Sequence, residues 1–273
     1  MQKIMGFNKQ KEDKSYLEWA VSRQSSGTAG SFLKAYEEVN GKKLYYKASN
    51  YDASRGFYGH ESLNEIVACN LAEMMGMYHL RYRLVDGIIS VPGRGKQAAL
   101  ITASEDYKYN GEYKMTLESF YETERLDDED VLTFISRMDL QDYFYDMFLL
   151  DWIICNRDRH GANVEVLIDS DWFRMAPLFD HGLSFAFSCY GFIGMDEFDV
   201  MKDSPVNNFV GSCILSDNLK LVPGVVLSKV EKIEYTHVFD GIREFDVPQI
   251  YFDTIEKMIK ERVQYVKTIQ NKK

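Results

Sequence analysis

The sequence has few of the features that mark secreted, zinc-binding or membrane proteins. Its four cysteines are widely spaced and form no Cys-x-x-Cys pair, which argues against a zinc cluster or a disulfide framework and favours a reducing, cytoplasmic compartment. Residues 1–14 are polar and lack the apolar core of a signal peptide. The longest hydrophobic run, residues 147–155, is interrupted by Asp151, so we expect no membrane span.

The sequence also has fewer basic than acidic residues. The 32 Lys and Arg residues are outnumbered by 42 Asp and Glu residues, for a formal net charge of -10, which argues against direct binding to nucleic acid or to an anionic membrane. A chain of 273 residues with 45% hydrophobic and 27% charged residues can bury a sizeable core. We therefore expect a folded protein with two lobes around a cleft.

The N-terminal third predicts a sheet. Residues 16–48 have the pattern of a strand, a loop, a strand, a turn at Asn40-Gly41 and a third strand. The loop, residues 24–31, is rich in glycine and serine, so its main-chain N–H groups can approach an anion closely. From these residues alone, a flexible hairpin loop is the simpler interpretation. Strands at 78–89 and 97–103 complete a five-stranded antiparallel sheet.

Two charged residues of this region form a candidate pair. Lys47 lies near the end of the third strand, and Glu65 lies on a helix predicted over residues 61–75, which ends at Gly76. Glu65 is at the margin of the apolar stripe and has small neighbours. Each side chain alone would ordinarily be solvated. Packing of the helix on the sheet would bring Glu65 to Lys47.

Three oxygen-bearing side chains surround a second predicted hairpin, with strands at 164–168 and 172–179. Asn163 precedes the first strand and Asp180 follows the second, and a hairpin brings its open ends side by side. Asp158 lies just upstream of the hairpin. Carboxylate and amide oxygens are the ligands that Mg²⁺ prefers, usually together with water and phosphate oxygens.

The lobe boundary is placed at a polar stretch after the sheet. Residues 1–104 form the predicted N-lobe, and residues 105–273 form a mainly helical C-lobe. The C-lobe includes a buried helix over 139–154 and a long amphipathic helix over 249–269. Residues 191–226 are rich in turns and allow no assignment.

The order of these parts is more specific than any one of them. A glycine-rich loop, a strand lysine, a helix glutamate 18 residues later, Asp-x-x-x-x-Asn and Asp-x-Gly follow one another, and phosphoryl transfer needs parts of these kinds. A second interpretation is a metallohydrolase with Asp158, His160, Asp180 and His181 as ligands, but it leaves the lysine, the glutamate and the loop unexplained. A third is a catalytically weak nucleotide-binding interaction module.

The amino-acid sequences of the two polar stretches resemble those of a known family. Asn156–Asn163 (NRDRHGAN) and Pro177–Ser184 (PLFDHGLS) look most like the bacterial HipA-like Ser/Thr kinases, within the protein-kinase-like superfamily. The resemblance runs from about residue 25 to residue 185 and implies an α+β, two-lobed protein-kinase-like fold. Phosphatidylinositol 3/4-kinases share the Asp-Arg-His-x-x-Asn wording, so a lipid kinase is the runner-up within phosphoryl transfer.

The resemblance implies an ATP site in the N-lobe. The loop residues that would cover the ATP phosphates are Ser25, Ser26, Gly27, Thr28, Ala29, Gly30 and Ser31. Lys47 would bind the phosphates, Glu65 would hold Lys47 in place, and Thr102 would belong to the same site. ATP and Mg²⁺ are the implied cofactors.

The resemblance also implies the catalytic residues of the C-lobe. Asp158 would accept or orient the proton of the acceptor hydroxyl, and Asn163 with Asp180 would bind Mg²⁺. Three further residues would support the site or anchor its loop: Arg159, His160 and His181. His181 stands where other kinases have a phenylalanine.

Substrate and partner follow from the resemblance as well. HipA-like members include toxins that phosphorylate a protein or translation factor and are neutralised by a DNA-binding antitoxin. The implied function is therefore transfer of phosphate to a protein serine or threonine, of toxin type, with an antitoxin-type partner. The loop serines Ser25, Ser26 and Ser31 are candidate autophosphorylation sites because they lie in the loop nearest the transferred phosphate.

Overall fold

The computed structural model describes residues 11–21 and 32–271, and the α+β fold class predicted from the sequence is confirmed. The elements of the first part are β1 (Glu12–Asp13), β2 (Ala20–Val21), β3 (Leu33–Val39), β4 (Lys42–Ala48), β5 (Tyr51–Asp52), β6 (Gly56–Phe57), α1 (Glu61–Met74), β7 (Arg83–Val91) and β8 (Gly95–Glu105). Those of the second part are β9 (Tyr113–Thr116), α2 (Leu117–Glu124), α3 (Val131–Arg137), α4 (Gln141–Ile154), β10 (Asp158–Arg159), β11 (Glu165–Ile168), β12 (Phe173–Met175), β13 (Asn207–Asn208), α5 (Leu215–Leu221), α6 (Gly224–Leu227) and α7 (Gln249–Gln270).

Six of the described strands form one sheet in the order β1-β7-β8-β4-β3-β2. Five of them pair antiparallel, as the sequence predicts. The sixth, β1, is a correction: it adds to the edge of β7 in parallel, with Glu12 opposite Gly87. Both residues of β1 are charged and exposed, so no alternation of apolar side chains marks it as a strand.

The two faces of this sheet have different environments. Tyr46, Ala48 and Ile101 point to one face and pack with Trp19 in a small hydrophobic cluster. Successive side chains of a strand point to opposite faces. Lys47 therefore lies on the other face, in register with Thr102 of β8. That face is turned towards helix α1 and towards the second half of the chain.

Helix α1 is anchored in the core of the second half. Its apolar stripe, including Leu63, Val67 and Leu71, belongs to the large hydrophobic cluster that also contains the buried side of α4. The helix ends where Gly76 adopts a φ of +68°, and the N–H of Met77 returns to the carbonyl of Ala72 at 2.9 Å. The helix that carries Glu65 is thus packed against both halves.

Helix α4 delivers the chain to the second polar stretch. It is apolar on most sides and is buried from Leu149 to Ile154, as expected for a helix inside a core. Cys155 ends it in the left-handed conformation, with a φ of 51°. The long helix α7 crosses α4, and its Arg262, which is fully buried, donates to the carbonyl of Trp152 at 2.9 Å. Among the described helices, none combines the length and hydrophobicity needed to cross a bilayer.

The predicted hairpin exists, but its second strand is shorter than expected. Strands β11 and β12 pair antiparallel with Val166 opposite Met175, and β9 adds to the other edge of β11. The chain then leaves the hairpin at Pro177, which has no N–H to donate. Leu178 instead pairs with the backbone of Tyr78 and Leu80, at 2.9 Å in both directions. This linkage to the end of the N-terminal half fixes the approach to Asp180.

The turn-rich residues 191–226, which the sequence left unassigned, consist of short elements. Strand β13 pairs in parallel with β10, and helices α5 and α6 follow. Asp203 accepts from the N–H groups of Leu215 and Ser216 at 3.2 Å each and so caps the first turn of α5. These short elements are held by local caps and by contact with α4, which is why no periodic pattern announces them.

His60 precedes helix α1 and is buried without a hydrogen-bond partner. It is 1% exposed, and neither ring nitrogen has a partner among the described residues. The ring stacks on Phe192, with 4.4 Å between centroids, and meets the edge of Tyr251. Burial lowers the pKa of His60 to about 4, because a charged imidazolium would lose its hydration. The folded protein holds His60 neutral.

We expect His60 to make the protein less stable in weak acid. The unfolded chain, with a His pKa of about 6.5, takes up the proton before the folded chain does, so stability falls as the pH drops from about 6.5 to about 4. Between about pH 7 and about pH 5 this group should lower the free energy of unfolding by about 2 kcal/mol. In urea denaturation at both pH values, the loss should be about 2 kcal/mol smaller in His60→Phe than in the wild type. Equal losses in the two proteins would contradict it.

Candidate active site

Lys47 forms the centre of a buried charge cluster. Strand β4 presents its side chain to the face opposite the small core, where Nζ lies 3.2 Å from Glu65 Oε1 and 2.5 Å from Asp180 Oδ1. The structure therefore brings together a strand lysine, a helix glutamate and the aspartate that follows the hairpin. Burial lowers the pKa of Lys47, but the Asp180 and Glu65 charges outweigh it and hold the pKa above its usual value. Lys47 remains charged.

The two carboxylates of this cluster differ in environment. Glu65 is 1% exposed, and burial raises its pKa despite the opposing effect of Lys47. Its Oε2 accepts from the N–H of His181 at 2.8 Å, which ties α1 to the chain after Asp180. Burial also raises the pKa of Asp180, but Lys47 and then Lys34 outweigh it and hold the pKa below its usual value. Asp180 is thus the carboxylate held ionised.

Asp180 also has an unusual backbone conformation. Its φ is 57°, in the left-handed region that non-glycine residues seldom occupy. Aspartate tolerates this region better than most residues, and such positions gather at functional sites. The N–H of Asp180 points at the hydroxyl of Tyr82, at 3.4 Å. The left-handed turn directs the carboxylate back towards Lys47.

The loop after α4 places Asp158 and Asn163 next to each other. Asn163 Nδ2 donates to the carbonyl of Asp158 at 2.8 Å, which leaves Oδ1 as the amide atom available to a cation. The Asp158 N–H donates to Asn156 Oδ1 at 3.3 Å, so the loop is closed by its own amides. The Asp158 carboxylate is part-exposed and accepts from Asn207 Nδ2 at 3.1 Å. Asn207 was not among the residues predicted from the sequence.

Arg159 joins the loop to the end of the hairpin. It is 1% exposed and contacts both carboxylate oxygens of Asp151 on α4, at 2.7 and 3.0 Å. Its Nη1 donates to the carbonyls of Phe179 and Asn163, at 2.9 and 3.3 Å. The chain segments before Asp180 and around Asn163 therefore meet at one guanidinium group. Of the two roles open to Arg159, support or anchoring, its contacts are those of an anchor.

His160 and His181 lie apart and have different partners. His160 Nδ1 accepts from the N–H of Ala162 at 3.1 Å, and its Nε2 is 3.7 Å from Asp158 Oδ2. His181 is 1% exposed and its Nδ1 accepts from Arg159. Burial and then the Arg159 charge lower its pKa well below the usual value. Within residues 11–21 and 32–271, no group of three or more His, Cys, Asp or Glu side chains is placed to hold a metal ion, so the metallohydrolase interpretation gains no support.

The donor set of Asn163 and Asp180 fits Mg²⁺ rather than a softer metal. An amide oxygen and an ionised carboxylate are hard ligands, and Mg²⁺ usually keeps water and phosphate oxygens in its remaining positions. The anchoring of both chain segments by Arg159 presents the two side chains from adjacent backbone. Water molecules and the oxygens of a phosphate-bearing ligand would complete the shell of a metal ion held there.

An open cleft of about 200 Å³ adjoins the charge cluster. Thr102, which is 2% exposed, lines it next to Lys47 and donates to the Lys47 carbonyl at 3.4 Å. Tyr107 and Phe179, whose ring centroids are 5.8 Å apart, also line it. A cleft with aromatic walls and a charged end suits a flat ring system that carries phosphates. The aromatic wall escaped the sequence analysis because its two residues are far apart in the chain.

The predicted phosphate-covering loop lies outside the described residues. Its members are Ser25, Ser26, Gly27, Thr28, Ala29, Gly30 and Ser31. The strands that flank it, β2 and β3, pair with Ala20 opposite Lys34, and Lys34 is in turn opposite Lys47. The loop therefore connects, along the sequence, two strands of the sheet that also contains Lys47.

The fold is similar to those of two solved bacterial kinases. CtkA, a proinflammatory kinase of Helicobacter pylori, matches with a TM-score of 0.67 at 17% identity, over 96% of this chain and 97% of that chain. HipA of Shewanella oneidensis MR-1, in a complex with HipB and operator DNA, matches with a TM-score of 0.56 at 13% identity, over 92% and 68%. The fold is that of a HipA-like kinase. No family model and no curated protein matches the sequence.

The HipA-like fold confirms the resemblance drawn from the two polar stretches. At these low identities the likeness concerns the fold, and the roles of single residues rest on the geometry of this chain. In this chain the fold gathers Lys47, Glu65 and Asp180 on one side of the cleft. Asp158 and Asn163 lie on the adjoining loop. Asn207 and Asp151 are the contacts that sequence reasoning missed. Asn207 is 49 residues from Asp158, and Asp151 meets Arg159 only because the chain reverses after α4.

Proposed function

We propose that the protein is an ATP- and Mg²⁺-dependent kinase that transfers the γ-phosphoryl group to a serine or threonine of a protein. The observation that carries this proposal is the half-buried Lys47, which lies between Glu65 of helix α1 and Asp180 after the hairpin. Phosphoryl transfer in kinases uses a lysine on the phosphates, a glutamate that holds it and an aspartate for the metal. The HipA-like kinase fold supports the proposal.

The proposed reaction assigns one task to each side chain. Asp158 orients the acceptor hydroxyl and takes its proton as that oxygen bonds to the γ-phosphorus, while the bond to the β–γ bridging oxygen breaks and ADP leaves. Lys47 binds phosphate oxygens, and Glu65 keeps it in place. Asn163 and Asp180 would hold Mg²⁺, which when bound neutralises charge on the phosphates.

Lys47→Met should abolish most of this activity through nucleotide binding. A hydrogen bond to a charged group contributes about 1.5–3 kcal/mol, so ATP should bind about 10- to 100-fold more weakly. The loss also leaves the buried Glu65 carboxylate and the part-exposed Asp180 carboxylate without their cation. Two readouts test this: thermal stabilisation by ATP with Mg²⁺, and transfer of label from γ-labelled ATP.

The matched control is Lys42→Met on the same strand. Lys42 pairs with Glu105 at 3.0 Å, but both side chains are more than half exposed, so binding and transfer should stay at wild-type levels. No stabilisation of the wild type by ATP would overturn the proposal. Stabilisation without transfer to any acceptor would favour a nucleotide-binding interaction module instead.

The acceptor is resolved in the same assay by offering alternatives. Protein substrate and phosphatidylinositol vesicles are supplied in parallel, and label in the lipid alone would overturn the protein part of the proposal. Label on the enzyme itself would be mapped by mass spectrometry. We infer autophosphorylation at Ser25, Ser26 or Ser31, because these serines lie in the sequence between β2 and β3, and β3 pairs with the strand that carries Lys47.

A partner and a compartment complete the proposal. The neighbouring HipA structure is a complex with HipB and operator DNA, and by analogy we expect an antitoxin-type protein partner for this chain. Any DNA contact would then belong to the partner, because this chain carries a net charge of -10. The four cysteines are all free, which fits the reducing cytoplasm.

A further inference from the structure

Asn207 meets Asp158 at a point fixed by the backbone. Strand β13 pairs with β10 so that Asn207 lies opposite Asp158 and Asn208 opposite Arg159. The N–H of Asn207 donates to the carbonyl of Arg157 at 3.1 Å, and that of Phe209 donates to the carbonyl of Arg159 at 3.0 Å. These bonds place Asn207 beside the Asp158 loop independently of any side-chain rotamer.

The side chain of Asn207 makes the one hydrogen bond that the structure shows to the Asp158 carboxylate within the described residues. Nδ2 donates to Oδ1 at 3.1 Å. The other amides of the loop act on the backbone: Asn156 accepts from the Asp158 N–H, and Asn163 donates to the Asp158 carbonyl. His160 Nε2 is 3.7 Å from Oδ2, beyond hydrogen-bond distance. The orientation of the carboxylate therefore depends on Asn207.

The segment that carries Asn207 is itself firmly held. The N–H of Val206 donates to the carbonyl of Cys213 at 2.9 Å, and Asn208 Nδ2 donates to the carbonyl of Ser212 at 2.9 Å. The N–H of Ser212 donates in turn to Asn218 Oδ1 on helix α5. A closed loop tied to a helix presents the Asn207 amide rigidly, as a group that positions a reacting side chain requires.

We propose that Asn207 is a positioning residue for the acceptor side of the reaction. It holds Asp158 Oδ1, so that Oδ2 faces the acceptor hydroxyl and accepts its proton. This inference rests on the proposed kinase function. A base that swings away from the hydroxyl loses rate in the chemical step while the nucleotide, bound on the Lys47 side, is unaffected.

Two substitutions separate positioning from folding. Asn207→Asp keeps the shape of the side chain but replaces the donor by an acceptor, and Asn207→Ala removes both. Each should lower kcat for transfer by about 10- to 100-fold, the effect of losing one hydrogen bond to a charged group, with KM for ATP unchanged. Asn208→Ala is the matched control, because it removes a bond within the same loop but touches no part of Asp158. Asn208→Ala should lower the melting temperature and leave kcat close to the wild-type value.

The outcomes are distinct. A fall in kcat for both Asn207 variants, with normal ATP-dependent stabilisation and a normal KM, supports the inference. Wild-type kcat in Asn207→Asp overturns the inference alone. A parallel change in kcat, KM and stability in the Asn207 and Asn208 variants would show a merely structural role and overturn it as well. Absence of transfer by the wild type would overturn the proposed function and the inference with it.

Discussion

Asp158→Asn should lower the rate of phosphoryl transfer by about 10²- to 10⁴-fold, the usual effect of losing a general base. In the wild type, Asn207 Nδ2 donates to Asp158 Oδ1 at 3.1 Å. The amide of the variant has the same shape as the carboxylate and its Oδ1 can still accept this hydrogen bond, so the loop should keep its structure. Nucleotide binding should be unchanged, because none of the contacts shown for the described residues joins Asp158 to Lys47, Glu65 or Asp180. Single-turnover transfer and ATP titration measure the two effects separately. A variant that transfers at the wild-type rate would exclude Asp158 as the base.

Asp180→Asn provides the contrast within this experiment. The substitution replaces the ionised carboxylate beside Lys47 by a neutral amide. It should abolish the part of ATP binding that depends on Mg²⁺. Asp171→Asn serves as the control, since Asp171 is an exposed carboxylate in the turn of the same hairpin. Asp158→Asn should leave the Mg²⁺ dependence of ATP binding intact. If Asp180→Asn left it intact as well, the assignment of Asp180 to the metal would be wrong.

Arg159→Met should lower the free energy of unfolding by about 3–5 kcal/mol, more than any other substitution proposed for this protein. The substitution removes both ion-pair contacts of the buried Asp151, at 2.7 and 3.0 Å, and leaves its carboxylate with the neutral Asn156 amide at 3.0 Å as the side-chain partner shown among the described residues. The carbonyls of Phe179 and Asn163 lose a donor at the same time. Chemical denaturation followed by circular dichroism measures the change in free energy of unfolding.

A double variant tests the reason for this loss. Adding Asp151→Asn to Arg159→Met removes the uncompensated charge, so the pair should be more stable than Arg159→Met alone. Arg125→Met is the control. Its partner Glu122 is exposed, and the change should be below about 1 kcal/mol. A loss for Arg159→Met no greater than that for Arg125→Met would refute the anchoring role.

The sequence predicts well wherever one local pattern decides the structure. Helix α1 was expected over residues 61–75 and spans Glu61–Met74, because its apolar stripe and Gly76 are local signals. The approach of Glu65 to Lys47 also followed from local reasoning, since a helix on a sheet has few ways to pack. The hairpin was expected for the same reason, although its second strand proved shorter.

Contacts between distant segments could not be predicted in this way. Strand β9 joins β11 across about fifty residues, and the charged β1 extends the sheet without any apolar alternation. Asn207 reaches Asp158 from a segment of turns in which no periodicity exists. Arg159 and Asp151 are eight residues apart, and only the left-handed turn at Cys155 reverses the chain so that they meet.

The division of the hydrophobic residues has a mechanical consequence for Lys47 and Glu65. Strand β4 contributes Tyr46 and Ala48 to the small cluster, whereas helix α1 contributes its apolar stripe to the large one. Lysine and glutamate are thus carried by elements that belong to different cores, and their 3.2 Å contact joins the two. Beside this contact, Ser62 of α1 makes two further hydrogen bonds: its N–H donates to Ser49 Oγ and its hydroxyl donates to the carbonyl of Leu100, both at 3.0 Å. A rotation of the sheet relative to α1 would have to break these hydrogen bonds as well as the ion pair, so the two cores are joined firmly where Lys47 meets Glu65.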